Sequence, residues 1–161
     1  MGHDEVERIR TFFSELDIKP TYLEHEAVIT SEDAAKTRGF ALHQGIKALL
    51  FTNDANAWVV VDIPADKKVD VKRVAEQVGW SKNKIRMATP EEVMRKTGCE
   101  IGAVPPFGHK ETVPVMVDTG VYDNQDSAFN IGLRTHSVKV KTDDMKKVFE
   151  KINAIEGVFS K

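Results

Sequence analysis

At 161 residues, with 41% apolar and 30% charged side chains, the chain can bury a core without staples and carries no disordered tract. Its net charge of −2, from 23 basic and 25 acidic residues, excludes a protein that coats nucleic acid by charge alone, yet leaves room for a few lysines around one pocket. Cys99 is the only cysteine, which excludes an internal disulfide, and no apolar run approaches the ~20 residues of a membrane span.

Met1 to Val6 lacks an apolar leader core, and Val6 stands where a myristoylation motif needs Ser or Thr, so a cytoplasmic single domain over 1–161 is expected. Val6, Ile9, Phe12, Phe13 and Leu16 recur at helical spacing and predict an amphipathic helix over 4–16, which Pro20 keeps from continuing. Tyr22 and Leu23 suggest a short strand ending near His25. Thr30-Ser-Glu-Asp33 starts a helix to about Arg38, with Asp33 in place of the usual capping-box glutamate and Gly39 as its stop. Ile46 to Phe51 and Trp58 to Ile63 are apolar runs joined by the turn-rich Thr52–Asn56, and they read as a hairpin.

Asp70 caps a helix bearing Val71, Val74, Ala75 and Val78 that Gly79 closes, and Ile85 to Ala88 forms a further strand. Thr89-Pro-Glu-Glu92 combines a cap, a proline at the first helical position and a reciprocal glutamate, which predicts a helix through Thr97. Val113 to Val117, Ala128 to Ile131 and Ser137 to Val140 read as strands, and Thr142-Asp-Asp opens a last helix carrying Met145, Val148, Phe149 and Ile152. Strands grouped in hairpins with helices between the groups indicate an α+β fold, a twisted mixed sheet surrounded by helices.

Between the helix through Thr97 and the following strand lies Gly98-Cys-Glu-Ile-Gly102-Ala-Val-Pro-Pro106-Phe-Gly-His109. Gly98, Gly102 and Gly108 are free to take φ > 0, while Pro105 and Pro106 fix φ and donate no N–H. Val104 and Pro105 each precede a proline and are pushed toward extended backbone. The segment is therefore a stiff loop, either a plain structural turn or a pre-shaped surface of free amides and carbonyls. There is no His-Glu-x-x-His, no cysteine pair, no EF-hand spacing, no Gly-x-Ser-x-Gly and no P-loop, so neither metal nor cofactor is expected. Cys99 reads as a small buried hydrophobe more readily than as a nucleophile.

Three further segments frame this loop: His25-Glu-Ala-Val-Ile-Thr-Ser-Glu-Asp-Ala-Ala35, Gln44-Gly-Ile-Lys47-Ala-Leu-Leu, and Asp118 followed by Phe129-Asn130-Ile-Gly132. In this order and at these intervals the chain, from about Thr21 to about Phe149, resembles the YbaK/prolyl-tRNA synthetase-associated editing domain family. Its members hydrolyse wrongly aminoacylated tRNA. The resemblance implies that Gly102-Ala-Val-Pro-Pro106 is the Gly-x-x-x-Pro loop, whose Gly102, Ala103 and Val104 belong to the catalytic surface, and that Lys47 positions the terminal adenosine. It also implies a substrate pocket bounded by His25, Thr30, Pro105, Pro106, Phe107, Gly108, His109, Asp118, Asn130 and Gly132.

Each residue carries a plainer reading as well. Alternation puts Lys47 on one strand face with Leu49 and Phe51, where a lysine either snorkels to water or aims a compact charge into a pocket. Asp118 is an Asx-turn acceptor or a ligand for the substrate amino group. A mid-strand Asn130 suits a hydrogen-bonding duty, Thr30 is a helix cap first, and His25 and His109 are capped or solvent-facing if they touch no substrate. The expected activity is that of a trans-editing aminoacyl-tRNA deacylase acting on mischarged tRNA, foremost tRNA for proline. The expected partners are the 3′ end of misacylated tRNA and prolyl-tRNA synthetase, with no membrane and no metal. The alternative is a non-catalytic module that holds aminoacyl-tRNA or a nucleotide alongside a synthetase.

Overall fold

Four α-helices, two short 3-10 helices and eight strands are found in the described residues, 3–27 and 41–161, of the computed structural model. The first helix, α1 (His3–Glu15), buries Val6, Ile9 and Phe13, the stripe that helical spacing predicts. It ends where Asp17 turns left-handed at φ 57° and the Ile18 N–H reaches back to the Phe13 carbonyl at 2.9 Å. Strand β1 (Thr21–Glu24) follows. The helix expected from Thr30 lies outside the described residues.

The predicted hairpin is present as β2 (Ile46–Thr52) and β3 (Trp58–Pro64), antiparallel, with Lys47 opposite Ile63 and Ala48 opposite Asp62. Asn53 closes it, its Oδ1 accepting the Ala55 and Ala57 amides at 2.9 and 3.2 Å. Helix α2 (Val71–Val78) has Asp70 as N-cap, bonded to the Arg73 amide at 3.3 Å, and Gly79 in the left-handed region as its stop. After the two-residue strand β4 (Arg86–Met87), helix α3 (Pro90–Thr97) carries the full Thr89–Glu92 capping box and ends on Gly98 at φ 77°. Strands β5 (Val115–Asp118), β6 (Asp126–Asn130) and β7 (His136–Lys141) lead to helix α4 (Thr142–Lys151). A short strand, β8 (Ile155–Gly157), comes after the last predicted element, and nothing in its three residues signals it.

The strands form two sheets where the sequence suggested one. β1-β7-β6 is antiparallel throughout, and β4-β2-β3-β5-β8 is mixed, with β3, β5 and β8 parallel. An isolated bridge from Gly45 to Ala128 stitches them together. Residues of β2 with even numbers (Ile46, Ala48, Leu50) join Val60, Val115 and Val117 in the larger core, which also takes in α1, α4, Val104, Phe107 and Phe129. The other face of the larger sheet packs Phe51, Val59, Val61, Ile63 and Met116 against Val74 of α2 and Phe159 of the C-terminal tail. Burying each large side chain contributes roughly 1.5–3 kcal/mol, so the second cluster holds α2 and the tail in place. Among the described residues no helix is long and apolar enough to cross a membrane.

Candidate active site

The Gly98–His109 loop is anchored from below by one aromatic side chain. Phe107 is fully buried, with its ring centroid 4.9 Å from Phe12, 5.3 Å from Phe13 and 6.1 Å from Phe129. The expectation that Phe107 touches substrate is therefore corrected: its surface is consumed by the core, and packing against three rings, edge-to-face with Phe13 and Phe129 and tilted with Phe12, fixes the end of the loop. At Gly108, φ is 74°, and a Cβ there would stand 2.7 Å from the Ile9 Cδ1, so the loop must pass α1 as bare backbone. Arg8 of the same helix donates to the Gly108 carbonyl at 3.3 Å.

At the other end the chain makes a tight turn. The Ala103 N–H donates to the Glu100 carbonyl at 3.0 Å, with Gly102 as the third turn residue at φ 85°. A positive φ at that position is the requirement of a type II turn, and glycine meets it without strain. This corrects the expectation for Ala103, whose amide is committed to the turn and is no free donor. Three further loop carbonyls are committed too. Ala103 accepts from the Gly132 N–H at 2.9 Å, Ile101 accepts from Arg134 through Nε at 3.2 Å and Nη2 at 2.8 Å, and Pro105 bonds the His109 Nε2 at 2.7 Å. Among the described residues the Gly102 and Val104 amides have no acceptor. Successive groups alternate in extended backbone, so clamping the Ala103 and Pro105 carbonyls turns the Val104 N–H the opposite way.

His109 thus backs the loop from within the protein. A carbonyl only accepts, so the ring nitrogen facing Pro105 carries the proton. Burial pushes the imidazole pKa down to about 4, against the upward pull of the Pro105 bond and with a smaller push from Arg8. Cys99 is fully buried, and burial raises its thiol to about 12, which leaves no thiolate for nucleophilic chemistry.

The turn between β6 and β7 gathers several predicted residues beside the loop. Asn130 donates through Nδ2 to the Leu133 carbonyl at 3.1 Å, shaping the turn from which Gly132, at φ 113°, reaches Ala103. The His25 N–H bonds the Thr135 carbonyl at 3.0 Å, and its ring contacts Ser137 Oγ at 2.7 Å and the Glu26 carbonyl at 2.8 Å. His25, Asn130, Gly132 and the Gly102 turn are therefore one hydrogen-bonded neighbourhood. Sequence reasoning missed Arg134, whose only local signal is a charged residue in a turn. Thr30 lies outside the described residues.

Lys47 and Asp118 belong to a different place, on the face of the larger sheet opposite Ile46 and Ala48. Lys47 is half-buried and makes no hydrogen bond or ion pair among the described residues. Its pKa is lowered mainly by burial, with Asp66 opposing and Lys68 adding to the fall. Asp118 is the reverse case. Its Oδ1 accepts the Phe159 and Ser160 amides at 2.7 and 3.0 Å and its Oδ2 the Gly120 amide at 2.9 Å. The Asx-turn reading fits, and the expected contact with a substrate amine is replaced by three backbone donors, two of which tie down the C-terminal tail.

A model of the aminoacyl-tRNA editing domain matches residues 25–148, spanning the loop, Lys47 and the β6–β7 turn. The chain belongs to the aminoacyl-tRNA editing domain family. The multifunctional Ser/Thr-tRNA deacylase ProXp-y of Escherichia coli K12 is 35% identical over 128 residues, 77% of this chain and 75% of that protein. A proline–tRNA ligase of Pelobacter propionicus is 31% identical over 86 residues, covering 53% of this chain and 15% of the ligase. A solved structure described as a candidate trans-editing enzyme for prolyl tRNA synthetase superposes with a TM-score of 0.82 at 22% identity, covering 98% of this chain and 97% of the other. That likeness establishes the fold. With the family comes the enzyme class, an aminoacyl-tRNA deacylase.

Proposed function

We propose that this editing domain acts in trans on tRNA for proline carrying a wrong amino acid, hydrolysing the ester between the amino acid and the 3′-terminal ribose. The observation that carries the reading is the pair of amides, Gly102 and Val104, that have no acceptor among the described residues, on a loop whose Glu100, Ile101, Ala103 and Pro105 carbonyls are bonded elsewhere. Water adds to the ester carbonyl, the Gly102 and Val104 N–H groups meet the developing oxyanion, and the C–O bond to ribose breaks. The ribose oxygen leaves with a proton and the free amino acid departs as its carboxylate. Donors fixed before the reaction need no reorganisation at the transition state, and the activated ester requires no protein nucleophile. A neighbouring ribose hydroxyl assists the water, and Lys47, whose donors have no partner among the described residues, holds the terminal adenosine.

The likeness to a Ser/Thr-tRNA deacylase makes small hydroxylated residues the first to test, and the partial match to a proline–tRNA ligase supports tRNA for proline as the carrier. Discrimination against a cognate residue of similar size is worth only ~1–3 kcal/mol in one pocket, which is the use of a second, editing site. The test is a deacylation panel of tRNAs for proline, threonine and serine charged with alanine, serine, threonine, cysteine and proline. Release of seryl or threonyl groups from tRNA for proline at rates well above buffer supports the reading. Tight binding without release on every substrate would instead identify a non-catalytic module.

A further inference from the structure

We propose that Arg134 is the positioning residue of the catalytic loop: from the β6–β7 turn it fixes the Gly102 turn so that the Gly102 and Val104 amides present a preformed oxyanion site. The proposal rests on the reading of those amides as the catalytic surface. Arg134 lies 33 residues beyond Ile101, yet two guanidinium nitrogens converge on that one carbonyl, at 3.2 and 2.8 Å, while Nη1 pairs with the Glu100 carboxylate at 3.3 Å. Glu100 and Ile101 are the first two residues of the turn whose third is Gly102 and whose closing bond is Ala103 N–H to Glu100 carbonyl. One planar cation thus holds the entry side of the turn by main chain and side chain together, a task its rigid fork suits and a lysine's single ammonium does not.

The adjacent Gly132 amide holds the Ala103 carbonyl, so the β6–β7 turn grips the loop at residues 100, 101 and 103 and leaves 102 and 104 open. An arginine beside a tRNA site would ordinarily be assigned to a phosphate. Here every guanidinium nitrogen is turned inward onto the loop, which favours positioning.

The experiment compares Arg134→Gln and Arg134→Lys with wild type and with Gly102→Val by single-turnover deacylation, thermal melting and amide hydrogen exchange of the full chain. The expected result is a rate lowered ~10-fold or more in both arginine variants, with tRNA half-saturation within about twofold of wild type and faster exchange at the Ala103 amide. Methylguanidinium added to Arg134→Gly is expected to recover part of the rate, which a merely structural residue would not show. The exchange measurement also decides the matter for any variant that melts early, because it is read at a temperature where the variant is folded. A wild-type rate with wild-type Ala103 exchange overturns the proposal. So does a rise in half-saturation with a shallower salt dependence, the mark of a phosphate contact. A Gly102→Val protein at the wild-type rate would remove the loop-amide reading itself, whereas slow Gly102→Val beside normal Arg134→Gln removes only the role of Arg134.

Discussion

The loop–turn neighbourhood and the lysine end of the larger sheet meet their tasks in opposite ways. In the first, backbone does the presenting: carbonyls of Ile101, Ala103 and Pro105 are tied to Arg134, Gly132 and His109, and the Gly102 and Val104 amides between them have no acceptor among the described residues. In the second, a side chain does it: Lys47 is half-buried with no hydrogen bond or ion pair among the described residues. A group assembled from mutual constraints fails as a unit, whereas an uncommitted side chain can be removed alone. The loop should therefore couple activity to geometry, and Lys47 should separate activity from stability.

The sharpest way to break this contrast is Gly102→Val. A β-branched residue at φ 85° costs roughly 1–3 kcal/mol of strain and forces the turn open, moving both open amides. Loss of a preorganised oxyanion donor costs ~100–1,000-fold in rate, so single-turnover deacylation is expected to fall by that amount while a denaturant melt still shows a folded protein. Next is Lys47→Ala. A charge-assisted contact is worth about 1.5–3 kcal/mol, so a loss of ~10-fold or more is expected with an unchanged melting temperature. Retained turnover with a lowered melting temperature would show that Lys47 serves packing.

How much of this was legible in the sequence follows the same division. Helices α1, α2 and α3 were readable because their signals are local: an apolar stripe at Val6, Ile9 and Phe13, the Asp70 cap, and the Thr89-Pro-Glu-Glu92 box. The loop was readable because glycine and proline restrict backbone wherever they stand. What could not be read was where each polar group finds its partner. Nothing near Asp118 announces that Phe159 and Ser160 will donate to it, and nothing near Arg134 announces Ile101. Phe107 looked like a pocket wall because apolar residues line both pockets and cores, and only the ring contacts decide. The split into two sheets was hidden for the same reason, since pairing partners are a long-range property of strands.

Asp118→Ala sharpens the contrast from the stability side. Three backbone donors lose their acceptor at once, and hydrogen bonds to a charged group contribute about 1.5–3 kcal/mol each before relaxation. A net loss of about 3 kcal/mol is expected by chemical denaturation, with the deacylation rate of the folded fraction close to wild type. A folded variant with a rate tenfold down would return Asp118 to the substrate pocket.

The smallest effect is expected at Asp62, the counterpart of Asp118 on the neighbouring strand. It is fully buried between Ala48 and Val117, and among the described residues neither carboxylate oxygen has a hydrogen-bond partner. Burial alone raises its pKa well above the usual carboxylate range, and the nearby Tyr122 hydroxyl is likewise pushed up, chiefly by burial. The carboxyl is then protonated in the folded protein at pH values where the unfolded chain has already released its proton. Below the unfolded pKa of about 4 both states carry that proton and the group is neutral in its effect. Above it the unfolded state binds fewer protons, so stability falls as pH rises, until the folded group itself ionises. Asp62→Val, which fills the site with an apolar side chain of similar breadth, is therefore expected to gain about 1 kcal/mol at neutral pH and to flatten the decline in stability as pH rises above about 4. The check is a urea midpoint series at several pH values for both proteins. Parallel pH profiles would show that Asp62 has found a partner and stays ionised, and activity unchanged throughout would keep it outside the chemistry.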